Sequence, residues 1–143
     1  MLKEACISTI EYLESKSKTE RKKIGQFFTS RPAAEFMGGL FEVKSKAVRI
    51  ADPGAGTGIL ASAMLEHIFK ASSIKSVSID LYENDENVLP TLEQNIAYWK
   101  RIADNKGISL VVTLITDNFI THNRVYGLYA IAFKTLTKKT RFL

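Results

Sequence analysis

Residues 47–58 read Ala47-Val48-Arg49-Ile50-Ala51-Asp52-Pro53-Gly54-Ala55-Gly56-Thr57-Gly58, and an apolar run beginning at Ile59 follows them. Residues 47–51 suit a short β-strand, and residues 59–71 are of helical length. Between the two, glycines at 54, 56 and 58 let the backbone turn sharply and leave no side chain between the main chain and a ligand. Strand, tight loop and helix open a βαβ unit. A loop of this kind points to a nucleoside-bearing cofactor.

Outward from the loop the same alternation continues. Residues 77–82 form a second strand candidate, closed by Glu83-Asn84-Asp85-Glu86. Residues 88–103 read as a helix with Leu92, Ile96 and Trp99 on one face and Gly107 as a stop. Residues 108–116, dense in Val, Ile, Leu and Thr, are the clearest strand, and residues 126–133 are read as a fourth. Upstream, residues 3–19 carry Ile7, Ile10 and Leu13 as the apolar stripe of an amphipathic helix. A mainly basic stretch at 16–23 follows, read as a solvated linker with a phosphate-contacting arm as the alternative. Pro32 sits in the first turn of a further helix reaching about residue 37, with Ser30 or Thr29 as its cap and Gly38-Gly39 at its end. Strands separated by helices pair in parallel. The expected organisation is therefore an N-terminal helix and basic linker at 1–23, then one α/β domain over 24–143.

At 143 residues, with 45% hydrophobic and 24% charged residues, the chain can bury one core. It holds no run of eighteen apolar residues and no signal-peptide pattern, so neither a membrane association nor export is expected, and the cytoplasm is the default. Cys6 is the single cysteine, which excludes an internal disulfide and leaves no thiolate metal site to expect. A nucleophilic cysteine at the sheet edge, as cytosine-C5 methylation needs, is also missing. The net charge of +5 suits a polyanionic partner. His67 and His122 stand apart from any cluster and are read as structural.

Charge separates the candidate cofactors. A dinucleotide fingerprint is G-x-G-x-x-G, with a pyrophosphate resting on the helix N-terminus, whereas the spacing here is G-x-G-x-G. Asp52 at the mouth of the loop would repel a pyrophosphate and attract the ammonium or sulfonium charge of S-adenosylmethionine (SAM). Glu83, at the carboxyl end of the second strand, can accept hydrogen bonds from both hydroxyls of a ribose, with Asp85 as second choice. Asp117 follows the third strand at the same sheet edge, where its carboxylate could accept an adenine amino hydrogen and Phe119 could pack on the ring.

The stretch Lys23-Ile24-Gly25-Gln26-Phe27-Phe28-Thr29, followed by the loop Asp52 to Gly58, resembles the bacterial DNA adenine-N6 methyltransferases of restriction-modification systems that carry an N-terminal cofactor domain. The resemblance continues through Glu83 and Asp117, over residues 22–118. It implies a Rossmann-like SAM-dependent methyltransferase fold, SAM as cofactor, and DNA as the partner of the full-length enzyme. A restriction or specificity subunit, or a missing C-terminal half, would be the protein partner. In that family the Gln-Phe-Phe-Thr element closes over the methionine end of SAM, a contact that falls on Thr29. The expected cofactor residues are therefore Thr29, Asp52, Pro53, Gly54, Ala55, Gly56, Gly58, Glu83, Asp117 and Phe119.

One departure governs the expected activity. The family carries Asn-Pro-Pro-Tyr, or Asp for Asn, after its fourth strand, and this chain has no such tetrapeptide. Tyr129-Ala130-Ile131-Ala132 resembles the strand leading to it, yet Phe133-Lys134-Thr135 follows. Those residues orient the target amine and stack the flipped base, and orientation can contribute on the order of 7 to 11 kcal/mol. No catalytic residue is assigned, and the fold is expected to be incomplete at the C-terminus. The alternatives are a noncatalytic SAM- or partner-binding module, and a methyltransferase acting on RNA or on a protein glutamine.

Overall fold

A computed structural model describes residues 1–17, 28–123 and 140–142. The elements run α1 (Leu2–Glu14), α2 (Arg31–Gly39), β1 (Ala47–Asp52), α3 (Ile59–Ile68), β2 (Ser76–Tyr82), α4 (Leu89–Asn105), β3 (Ser109–Ile115), α5 (Phe119–His122) and β4 (Thr140–Phe142). The strands form one parallel sheet in the order β3-β2-β1-β4. This is the α/β architecture with flanking helices that the alternating pattern predicts. No described helix is long and apolar enough to cross a membrane.

Strand register aligns the carboxyl ends of the first three strands. Asp52 pairs with Leu81, and Tyr82 pairs with Ile115. Backbone bonds continue past the strands, from the Ala55 N–H to the Tyr82 carbonyl at 3.0 Å and from the Glu83 N–H to the Ile115 carbonyl at 3.1 Å. The glycine loop, Glu83 and the end of β3 are thereby locked along one edge. The strand expected at 126–133 lies outside the described residues, and the neighbour of β1 on its open side is β4, with Ala51 opposite Phe142.

The core forms where β1 and β2 meet α3 and α4, around Ile50, Leu65, Ile68, Val77, Ile79, Leu81, Leu92 and Trp99. Along β2 the even spacing of Val77, Ile79 and Leu81 buries one face, as period-2 alternation requires. Leu92, Ile96 and Trp99 are all buried on α4, as expected from their spacing. Gly107 adopts φ +66° just past that helix, with its N–H on the Asp104 carbonyl and the Ile108 N–H on the Ala103 carbonyl. That pair of bonds is a Schellman cap, and it turns the chain directly into β3.

The N-terminal helix corrects the sequence reading. Ile7 and Ile10, expected to be its buried stripe, are 46% and 55% exposed, while Leu2, Ala5, Thr9 and Tyr12 are buried. Both sets recur at helical spacing, so periodicity alone does not choose between them. The choice comes from what α1 packs on. Leu2 and Ala5 enter a small cluster with Ala34, Ile59 and Ala63, where short side chains let the helices approach closely. Cys6 packs at its margin, and burial pushes its thiol pKa up, as for a small apolar residue.

Candidate functional site

The loop after β1 is held in shape by its backbone angles, a tight turn and packing against α4. Gly56 and Gly58 take left-handed φ angles of +53° and +85°, a region that L side chains rarely adopt. The Gly58 N–H closes a turn onto the Ala55 carbonyl at 2.8 Å. A side chain at Gly58 would also meet Trp99, since an added Cβ would lie 2.7 Å from the indole ring. This glycine therefore serves the packing of the loop on α4. The open position is Gly54, where an added Cβ would meet nothing within 4 Å.

Glu83 binds the loop directly. One carboxylate oxygen accepts the Gly56 N–H at 2.8 Å, and the other accepts the Asp85 N–H at 2.8 Å. A carboxylate offers about four lone-pair sites, so each oxygen keeps capacity for a further donor. The acid at the end of β2 is thus both a loop support and an acceptor facing the same space.

A cleft of about 160 Å³ lies over this loop, lined by Phe28, Thr29, Gly54, Ala55, Gly56, Thr57, Ile59, Leu60 and Glu83. Four of the predicted loop and strand-end residues, Gly54, Ala55, Gly56 and Glu83, come together here, and so does Thr29 from far upstream. Phe28 stands beside Gly56, its ring 3.3 Å from where a Cβ would be. Phe28, Thr57, Ile59 and Leu60 were not assigned from sequence. Phe28 belongs to the Gln-Phe-Phe-Thr element and Thr57 to the loop itself, so both carried a signal, whereas Ile59 and Leu60 read simply as helix core.

Asp52 lies at the end of β1 beneath the loop, 4% exposed. Its Oδ1 accepts the Gly54 N–H at 3.3 Å, and its buried Oδ2 has no hydrogen-bond partner among the described residues. Burial pushes its pKa up to about 6, with the Glu83 charge adding to the effect and the Gly54 N–H opposing it. Asp52 does not itself line the cleft but lies beneath it, and its orphaned oxygen could take a donor or cationic group only through the loop. Pro53 sits between Asp52 and the open Gly54 without lining the cleft.

The last two predicted residues stand at the same sheet edge, beyond β3, and do not line the cleft. Asp117 is 67% exposed on its side chain, and its carboxylate is bonded to the His122 ring nitrogen at 2.9 Å. Phe119 packs edge-on against Tyr82, centroids 4.9 Å apart, and His122 packs on the same ring at 5.7 Å. His122 thus has a structural partner, as expected for it. No group of three or more His, Cys, Asp or Glu side chains that could hold a metal occurs among the described residues.

A parallel sheet with a glycine loop after β1, and an acid at the end of β2 bonded into that loop, is the arrangement of a Rossmann-like methyltransferase fold. Sequence comparison points the same way. The chain is 35% identical over 101 residues, 70% of its length, to the type II methyltransferase M.BsuBI of Bacillus subtilis. It is 31% identical over 119 residues, 83% of its length, to the type II methyltransferase M.PstI of Providencia stuartii. This stretch of chain is thus related to the methyltransferases of restriction-modification systems. The matched part spans 19% and 22% of those two relatives' own lengths. No family model matches the chain, and no solved structure matches it significantly.

Proposed function

We propose that this chain carries the SAM-binding part of a DNA adenine-N6 methyltransferase of a restriction-modification system, and that it transfers no methyl group by itself. The observation that carries the reading is the bond between Glu83 and the Gly56 N–H, which makes the loop and the strand-end acid one wall of a cleft facing Phe28 and Thr29. Similarity to two type II methyltransferases supports it.

The residues present fit the cofactor. The buried, unpartnered Oδ2 of Asp52 suits the ammonium end, and the open space at Gly54 admits a ligand against the backbone. Glu83 would take the ribose hydroxyls, Thr29 the methionine end, and Asp117 with Phe119 the adenine. SAM supplies a methyl group activated on a sulfonium, ready for attack by an amine. In this chain the acids bind and orient, and the left-handed glycines bring the main chain close. The Asn-Pro-Pro-Tyr residues that would accept hydrogen bonds from the attacking amine and stack the base are absent from the sequence.

The full-length enzyme would act on DNA in the cytoplasm, and the net charge of +5 favours a polyanion. Calorimetric titration with SAM tests the cofactor. Absence of binding at millimolar SAM, from a chain shown to be folded by circular dichroism, would overturn the reading. Adding a separately expressed polypeptide that carries the Asn-Pro-Pro-Tyr element tests the second half. Adenine methylation restored in trans supports a split or partial enzyme, and persistent silence with SAM bound supports a noncatalytic module.

A further inference from the structure

We propose that helix α1 is a working part of the cofactor site, with Thr9 and Asn95 as positioning residues that hold Thr57 and thereby set the shape of the glycine loop. The proposal rests on the reading of the cleft as a cofactor site. Thr57 lies inside the loop, lines the cleft, and is almost fully buried at 1% exposure. Its hydroxyl and its carbonyl are both held from outside the loop. The hydroxyl meets Thr9 Oγ1 at 2.6 Å, across 48 residues of chain, and the carbonyl accepts Asn95 Nδ2 at 2.8 Å.

The direction of these bonds follows from counting protons. Thr9 Oγ1 donates its single proton to the Ala5 carbonyl at 2.6 Å. The Thr57 hydroxyl must then donate to Thr9, which gives an oriented chain from Thr57 through Thr9 to the backbone of α1. Such chained bonds in a buried setting strengthen one another. Asn95 uses its second amide hydrogen on Ser8 Oγ at 3.0 Å, so the same support ties α4 back to α1.

A second path reaches the opposite wall of the cleft. Tyr12, one turn beyond Thr9 on the buried face, packs edge-on against Phe28 with centroids 5.9 Å apart, and Phe28 in turn stands against Gly56. Burial first, and then the charges of Asp85 and Glu83, raise the Tyr12 phenol above its ordinary pKa. One helix therefore braces both the loop and the aromatic residue facing it. This accounts for the burial of Thr9, a polar residue, while Ile7 and Ile10 remain exposed.

The test uses the full chain and compares Thr9→Val, which keeps the shape and removes the hydroxyl, with Thr9→Ser, which restores it. Two readouts are taken well below each variant's melting temperature: SAM affinity by calorimetry, and amide hydrogen exchange at Gly54, Gly56 and Gly58 by NMR. Thr9→Val is expected to weaken SAM on the order of tenfold and to speed exchange of the loop amides by a similar factor. Thr9→Ser is expected to return both to within about threefold of the parent. An Ile10→Gly variant on the exposed face of α1 weakens the helix without touching Thr9, Ala5 or Thr57, and should lower the melting temperature with loop exchange unchanged. Loop exchange in Thr9→Val matching that of the parent would overturn the proposal. Should the parent chain fail to bind SAM, the exchange arm still decides whether α1 positions the loop, so failure of the cofactor reading is seen separately.

Discussion

Glu83 and Gly56 are joined by a 2.8 Å hydrogen bond from the Gly56 N–H to the Glu83 carboxylate, although 27 residues separate them in the chain. The acid at the end of β2 therefore acts on the loop after β1 before any ligand is considered. A charged acceptor on a backbone donor contributes about 1.5–3 kcal/mol. Glu83→Ala is expected to loosen the loop and to weaken SAM by at least tenfold, on the order of the loss of one such bond. Glu83→Gln keeps one amide oxygen and should fall between the two. Calorimetric titration of both variants checks this, and equal affinity in all three proteins would remove Glu83 from the site.

The glycines at 58 and 54 should respond oppositely to alanine. At Gly58 the φ of +85° and the close Trp99 ring combine strain with overpacking, at a cost of about 2–4 kcal/mol. Gly58→Ala is expected to lower the denaturation midpoint sharply. Gly54→Ala meets open space and should change stability by less than about 0.5 kcal/mol, yet it should weaken SAM if the ligand approaches the backbone there. Paired urea denaturation and titration of the two variants separate packing from binding.

Asp52 predicts a pH dependence with two opposite signs. Burial raises its pKa from 3.8 to about 6 in the folded protein. Between these values the unfolded chain binds fewer protons than the folded one, so stability is highest below pH 3.8 with respect to this group. It falls as pH rises through about 6, by about 3 kcal/mol in all. Affinity for a cationic ligand runs the other way, because the ionised form is the one that attracts it. SAM binding should therefore strengthen from pH 5 to pH 7. In Asp52→Asn both slopes should be lost, which denaturation and titration across that range would reveal.

The two faces of α1 give a sharp contrast. Ile7→Lys and Ile10→Lys place charges on exposed positions and are expected to leave stability within about 0.5 kcal/mol. Tyr12→Ala removes a buried ring that holds Phe28, and should cost about 3 kcal/mol or more. Thermal melting of the three variants checks the assignment. A large loss in either lysine variant would restore the face read from the sequence.

Much of the fold was legible because its signals are local. The alternation Val77, Ile79, Leu81 marks β2, and the spacing of Leu92, Ile96 and Trp99 marks the buried face of α4. The glycines and Gly107 announce their own turns. Around α1 the signal fails, since Leu2-Ala5-Thr9-Tyr12 and Ile7-Ile10-Leu13 are both plausible helix stripes and the first contains a threonine. Buried Thr9 meets the Thr57 hydroxyl at 2.6 Å, a partner 48 residues away that no local pattern announces. Asn95 carried no signal either, being one polar residue on a mixed helix.

The sequence by itself determined the first three strands with the helices between them, the glycine loop, and the residue types at the strand ends, because each depends on backbone preference or on near neighbours. Tertiary structure alone decided which of these residues meet. Parallel register set the ends of β1, β2 and β3 level, which brought Glu83 to Gly56. Packing against Trp99 closed the space beside Gly58, and Asp117 came to bond the His122 ring. A hydrogen bond between groups far apart in the chain has no local pattern, so the support that α1 lends the loop exists only once the helices have packed.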